Sequence, residues 1–185
     1  VTAFLTRRAF GLRGALCAFA LLSLGACVTP LVDEAMQQSL VVRSIKVDAS
    51  GIKPIGGGRE ITLTNTQIET DLKAALTAQM IKPGQGKGNA DVLVTVTEIF
   101  LVSRGQSFAL GGNSHMTGTL TVTEAGSGKV ILAPTVVGGG NANLRLGGVL
   151  GALTAPMPEK DYADTLTGFA KQNTARLLGK QTAPE

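Results

Sequence analysis

The sequence is poor in aromatic residues and in the side chains that most often do chemistry. Tryptophan is absent, tyrosine and histidine occur once each, as Tyr162 and His115, and only 16% of the 185 residues are charged. Without tryptophan, and with one tyrosine, the chain has no stacking platform for bases, which argues against a nucleic-acid partner. A single histidine excludes a multi-histidine metal centre. The two cysteines, Cys17 and Cys27, both fall in the first 27 residues, so the chain beyond them has no disulfide of its own to make.

What is present begins with charge of one sign. Arg7, Arg8 and Arg13 precede an uncharged run, residues 14–26, that closes on the small residues Gly25 and Ala26. A basic segment, an apolar segment and a small-residue zone together form an export signal. As a helix rising 1.5 Å per residue the apolar run reaches roughly 20 Å, short of the ~30 Å hydrocarbon core, so it reads as a removable segment and not a permanent span. Residues 1–26 are therefore expected to be cut away, between Ala26 and Cys27.

Leu24, Gly25, Ala26 and Cys27 resemble the lipobox of bacterial lipoprotein signal peptides. The resemblance implies that the Cys27 sulfur carries diacylglycerol, that cleavage falls just before it, and that its new amino group is acylated. Two or more acyl chains anchor stably, at ~0.8 kcal/mol per buried methylene, where one chain holds only marginally. Lipidation also explains why an exported chain keeps one unpaired cysteine. Val28 in place of aspartate after the cysteine implies, by the same resemblance, the outer membrane with the domain facing the periplasm. Arg7, Arg8 and Phe10, in "TRRAFGL", match part of the twin-arginine export motif, whereas Gly11 and Leu12 depart from it; a Sec route and a twin-arginine route both remain open.

Removing Arg7, Arg8 and Arg13 from the 17 basic residues leaves 14 against 13 acidic ones. The basic character of the whole chain is thus largely a property of the signal, and a nucleic-acid partner is not expected. Residues 27–39 read as the lipidated cysteine and a tether, which fully extended spans at most about 40 Å at ~3.3 to 3.6 Å per residue and could hold a domain clear of the bilayer. A short helix using Leu31, Val32, Ala35 and Met36 fits within it. Residues 181–185 read as a disordered tail.

Between them, residues 40–180 are predicted to form one α+β domain. "LVVRSIKVD" alternates as a strand, and Ile68, Leu72, Ala75, Leu76 and Met80 share a helical face behind a Thr66 and Glu69 capping pair. "DVLVTVTEIFLV" is apolar on two faces, with Val92, Val94 and Val96 opposite Leu93, Ile99 and Leu101, as in a central strand. "MTGTLTVTE", "AGSG" and "KVILAPTVV" form a hairpin with a buried Met116, Gly118, Leu120 and Val122 row and a wet threonine row. Pro158 opens a last helix in which Tyr162, Leu166, Phe169 and Leu177 align, and Gly179 stops it. The expected order is β-α-β-β-β-α, a mainly antiparallel sheet with two helices packed on one face. The "ADVLVTVTEI" strand, the "TVTEAGSGKVI" hairpin and the alanine-rich closing helix resemble small envelope lipoproteins, including uncharacterised ones, over most of residues 40–180. The motifs carrying that likeness are structural and imply no activity.

Chemistry is sparse. "GQSFA" around Ser107 has the look of a variant nucleophile elbow, and Ser114 adjoins His115, but an elbow needs a strand before it and a helix after it. Neighbouring Ser114 and His115 also point to opposite faces of an extended chain. The acids are scattered, which predicts no metal site and no cofactor, and "GSGKV" lacks the spacing and hydroxyl of a phosphate loop. Residues 138–158 carry one charge, Arg145, and offer Leu144, Leu146, Val149, Leu150 and Leu153 as a candidate partner loop, core segment or pocket wall. The expectation is a lipid-anchored, non-enzymatic binding or assembly accessory acting with an envelope protein partner. The alternatives are a solute- or lipid-binding auxiliary of an envelope transporter, and a hydrolase using Ser107 or Ser114 with His115.

Overall fold

The structure, a computed structural model, describes residues 29–52, 63–84, 87–109, 112–141, 147–149, 153 and 156–179. The expected export signal, including Arg7, Arg8, Phe10, Ala26 and Cys27, and the expected tail at residues 181–185 lie outside the described residues. In chain order the elements are α1 (Glu34–Ser39), β1 (Val42–Asp48), α2 (Asn65–Met80), β2 (Ala90–Phe100), α3 (Arg104–Ala109), β3 (His115–Glu124), β4 (Val130–Gly140) and α4 (Pro158–Leu178). The predicted strands and the two long helices are all present; α1 overlaps the short helix read within residues 28–39, and α3 is an addition to the expected order.

The four strands form one sheet in the order β1-β2-β3-β4. β2 pairs antiparallel with β3, and β3 with β4, whereas β1 pairs parallel with β2. The sheet is therefore mixed, with two antiparallel pairings in keeping with the mainly antiparallel expectation and one parallel pairing that the sequence pattern did not specify. The physical reason is α2, which runs back along the sheet between β1 and β2 and so returns the chain for a parallel pairing.

One face of the sheet supplies the core. Val42 and Ile45 of β1, Val92, Val94, Val96 and Ile99 of β2, and Met116, Leu120 and Val122 of β3 are buried there. Ile68, Leu72, Leu76 and Met80 of α2 and Tyr162, Leu166, Phe169 and Leu177 of α4 close over them. Each such side chain removed from water contributes ~1.5 to 3 kcal/mol. The opposite face is open, and its threonine row, Thr117, Thr119, Thr121 and Thr123, is only partly covered.

Three sequence expectations fail in detail. Ile99 lies on the inner face with Val96, because the β2-β3 register shifts between Val96 and Glu98 and one extra residue returns the side chain to the core. Leu93 is left 39% exposed on the open face, so β2 is central in the sheet but covered on one side alone. The α2 cap is Thr64, whose side chain accepts from Gln67 N–H at 3.2 Å, and Glu69 instead accepts from Ala49 N–H at 3.0 Å. Thr64 and Gln67 have the same spacing as the expected pair, two residues earlier.

Candidate functional site

β1 and β2 start, β3 ends and β4 starts at one end of the sheet, because Ala90 pairs with both Val42 and Glu124. The chain arrives at this end from Thr29, and it arrives attached. The backbone N–H of Leu31 donates to Arg176 O at 2.9 Å, the Gln37 side-chain amide donates to the same oxygen at 3.1 Å, and Arg176 Nε donates to Thr29 O at 3.1 Å. Arg176 stands in the last turn of α4, where carbonyls have no helical partner and a cation sits well with the helix dipole.

α1 completes the attachment. Asp33 caps it by accepting from Met36 N–H at 2.8 Å, and Leu31, Val32 and Met36 pack half-buried against the core. Residues 29–39 are thus part of the domain and not a free tether, because apolar side chains at 31, 32 and 36 gain by burial and the end of α4 offers orphan carbonyls. One residue, Val28, separates Cys27 from the first attached carbonyl, that of Thr29.

The same end holds a cavity of about 400 Å³ between Met36, Ser39 and Leu40 on one side and Asn89, Glu124, Lys129, Val130 and Ile131 on the other. Asn89 links these parts, donating through its side chain to Ser39 O, accepting from Val41 N–H, and accepting through its own carbonyl from Ala125 N–H. Arg43 and Asp91 form an ion pair beside it, with Ser44 Oγ also donating to Asp91. Those two hydrogen bonds hold the Asp91 carboxyl below the usual carboxylate range, and the pairing raises Arg43.

The opposite end is built by close approach. A Cβ on Gly168 of α4 would stand 2.0 Å from Gly140 O, one on Gly139 would stand 2.8 Å from the Phe169 Cα, and one on Gly140 would stand 2.2 Å from Ser114 O. The "GGG" at 138–140 is therefore a seat for α4 and not a ligand loop. Gln172 and Asn173 side-chain amides donate to Gly140 O at 3.2 Å and Gly138 O at 3.4 Å, satisfying carbonyls on the sheet edge.

The residues proposed for hydrolysis are separated here. Ser114 is fully buried, donates to Asp161 Oδ2 at 2.6 Å and accepts from Val102 N–H at 3.0 Å. His115 is exposed and stacks on Phe100, with ring centroids 5.2 Å apart. The serine ties the end of β2 to the start of α4, and the adjacent histidine faces away from it. Ser107 falls within α3, where a loop was expected, and its side chain lies outside the described part of the structure. β2 does precede α3, but Ser107 sits inside the helix and not at the turn between strand and helix, so the elbow geometry is missing.

Of the candidate partner loop, Leu144, Leu146 and Leu150 lie outside the described residues, and Val149 and Leu153 are 63% and 76% exposed. A cavity of about 300 Å³ borders the start of that loop, lined by Asn113, His115, Thr117, the glycines 138–140, Asn141 and Gln172 among others. Met116 lies in its wall beside the polar side chains and the glycine backbone. Among the described residues no group of three or more His, Cys, Asp or Glu is placed to hold a metal ion, and no helix is long and apolar enough to cross a membrane.

The signal that sequence reading missed was Arg176. Its place at the helix end was visible, but the partner carbonyls, 147 residues away at Thr29, were not.

No protein-family model matches the chain, and no curated protein sequence does. Among solved structures, the chain is similar to a Xanthomonas campestris protein of the family DUF330, at 16% identity and a TM-score of 0.39 over 79% of this chain and 83% of that one. It is similar to a candidate lipoprotein from Caulobacter crescentus CB15, at 13% identity and a TM-score of 0.32 over 76% and 83% of the two chains. A third, described as an uncharacterised protein, shows 12% identity and a TM-score of 0.38 over 74% and 88%. These neighbours bring no activity with them.

Proposed function

We propose that this chain is a lipid-anchored cell-envelope lipoprotein whose domain acts as a non-enzymatic binding or assembly accessory. The observation that carries the reading is the attachment of Thr29 and Leu31 to Arg176, two residues beyond Cys27. An export signal is cut close to the folded body, and Thr29 is already attached to that body two residues after the cysteine of the lipobox-like sequence. The outer membrane, facing the periplasm, is the proposed location on the strength of Val28, with either the Sec or the twin-arginine route delivering the chain.

The accessory role is supported by what the two ends of the domain do with their polar residues. Ser114, Asp161, Gln172 and Asn173 are used to hold α4 to the sheet, so Ser114 is engaged with Asp161 and not with His115. Metabolic labelling with a palmitate analogue and membrane fractionation test the anchoring. Wild type is expected to take up label and sediment with membranes, and Cys27→Ala to lose both; label and processing unchanged in Cys27→Ala would overturn the reading.

A further inference from the structure

We propose that the anchored end of the domain is itself a bilayer-contact surface: the β3-β4 turn at residues 125–129, Lys87 and the exposed side of α1 rest on phospholipid headgroups, held there by the Arg176 latch. The proposal rests on Cys27 carrying the lipid. If the acyl chains sit in the hydrocarbon, Cys27 sits at headgroup level. Cys27 and Val28 fully extended span at most about 7 Å, so Thr29 can rise no further than that above its anchor. A free tether of residues 28–39 would have allowed several times this distance.

Thr29 cannot act as a swivel that carries the rest of the domain away. Its carbonyl is held by Arg176 Nε, the next attachment is Leu31 N–H to Arg176 O, and α1 packs on the core immediately after. The surface near Thr29 is therefore what meets the lipid. α1 reaches the β3-β4 turn across the cavity lined by Met36, Leu40, Lys129 and Val130, and Asn89 bonds both Ser39 O and Ala125 N–H. Val130 there is 55% exposed and gives the turn an apolar shoulder.

Charge among the described residues at this end is close to balanced, with exposed Lys82, Lys87 and Lys129 against exposed Asp33, Glu34 and Glu124, and Arg176 adding one positive charge. Contact is thus imposed by the short anchor and does not depend on anionic lipid. The opposite end, where His115 starts β3, stands about 30 Å away, since nine residues of strand separate it from Glu124 at ~3.3 Å each. That end, with exposed Val149, Leu153 and Met157, is turned towards the envelope space.

The absence of tryptophan makes the test direct. The lipoprotein is purified from membranes as Ser127→Trp or His115→Trp and placed in phosphatidylcholine vesicles brominated near the headgroup, with and without phosphatidylglycerol. The expected result is loss and blue shift of Ser127→Trp emission, to the same extent in both lipid mixtures, and unquenched His115→Trp. Equal quenching at both positions, or at neither, would overturn the proposal. A second variant inserts a long glycine-serine segment after Val28, with circular dichroism to check folding, and is expected to relieve the Ser127→Trp quenching. Quenching that survives the insertion would show that the short anchor is not what holds the surface down. Coupling a maleimide lipid to Cys27 in a chain beginning at that residue repeats the measurement without biological lipidation. Failure of the palmitate label with normal quenching in the coupled protein would therefore count against lipidation in cells and not against the contact geometry.

Discussion

The two ends of this domain are held by different physics. At the end beside His115, glycines at 139, 140 and 168 let α4 lie directly on the backbone of β4, and a buried Ser114 and Asp161 pair pins the helix start. At the end beside Thr29, the chain is fastened by a few partly exposed hydrogen bonds and a capped one-and-a-half-turn helix. Close packing tolerates no added atom, whereas a hydrogen-bonded latch loses one bond at a time. The distal end is thus expected to set the stability of the fold, and the anchored end to set its orientation.

The sharpest way to break this contrast is Gly168→Ala. In an exposed helix that change stabilises by about 1 kcal/mol, but here the new Cβ meets Gly140 O at 2.0 Å. Overpacking against backbone is expected to reverse the sign and destabilise by about 3 kcal/mol, read as a lower urea midpoint. A more stable Gly168→Ala protein would mean that the helix is not seated there. Next in size is Ser114→Ala, which removes one hydrogen bond each from the buried Asp161 carboxylate and the Val102 amide and is expected to cost about 1 to 3 kcal/mol. At the other end, Arg176→Ala should cost less than about 1 kcal/mol in urea unfolding yet speed proteolysis within residues 29–40, since its hydrogen bonds are partly exposed. A loss as large as that of Ser114→Ala would erase the distinction between the two ends.

The smallest expected effects are in pH. Burial first, then the Asp71 charge and hydrogen bond, raise Tyr162 above the ordinary phenol value of 10.0. The folded state then holds the proton more tightly than the unfolded chain, so this contribution is complete below pH 10.0 and is lost as pH rises beyond it. Tyr162→Phe should flatten that alkaline limb in thermal melts. Asp91, lowered by its Arg43 and Ser44 hydrogen bonds, works the other way: its contribution is present above the usual carboxylate range and fades as pH falls through the lowered value. Arg43 and Asp91 are exposed, so the acid effect should shrink further in salt.

The same contrast explains what was legible in the sequence. Period-two and period-3.6 patterns carried the strands and the two long helices, because Val92, Val94, Met116, Leu72 and Phe169 are buried by elements that repeat regularly. The closing glycine was also readable, since Gly179 takes φ 63° at the end of α4. What failed were features set by contacts between distant residues. The shift between Val96 and Glu98 moved Ile99 to the inner face, and α2 imposed a parallel β1. The glycine triplet gave no sign that it was a helix seat, because the matching Gly168 lies beyond the loop. The tether was misjudged for the same reason, as its partner Arg176 is at the far end of the chain.

Hydrogen exchange of the Leu31 amide measures directly whether residues 29–31 belong to the rigid domain. Its N–H donates to Arg176 O at 2.9 Å. Strong protection of Leu31 in the intact protein, lost in an Arg176→Pro variant that otherwise keeps its β-sheet amides protected, is the predicted result. Exchange of Leu31 at the rate of a free chain in the wild-type protein would contradict the latch and with it the fixed orientation of the domain.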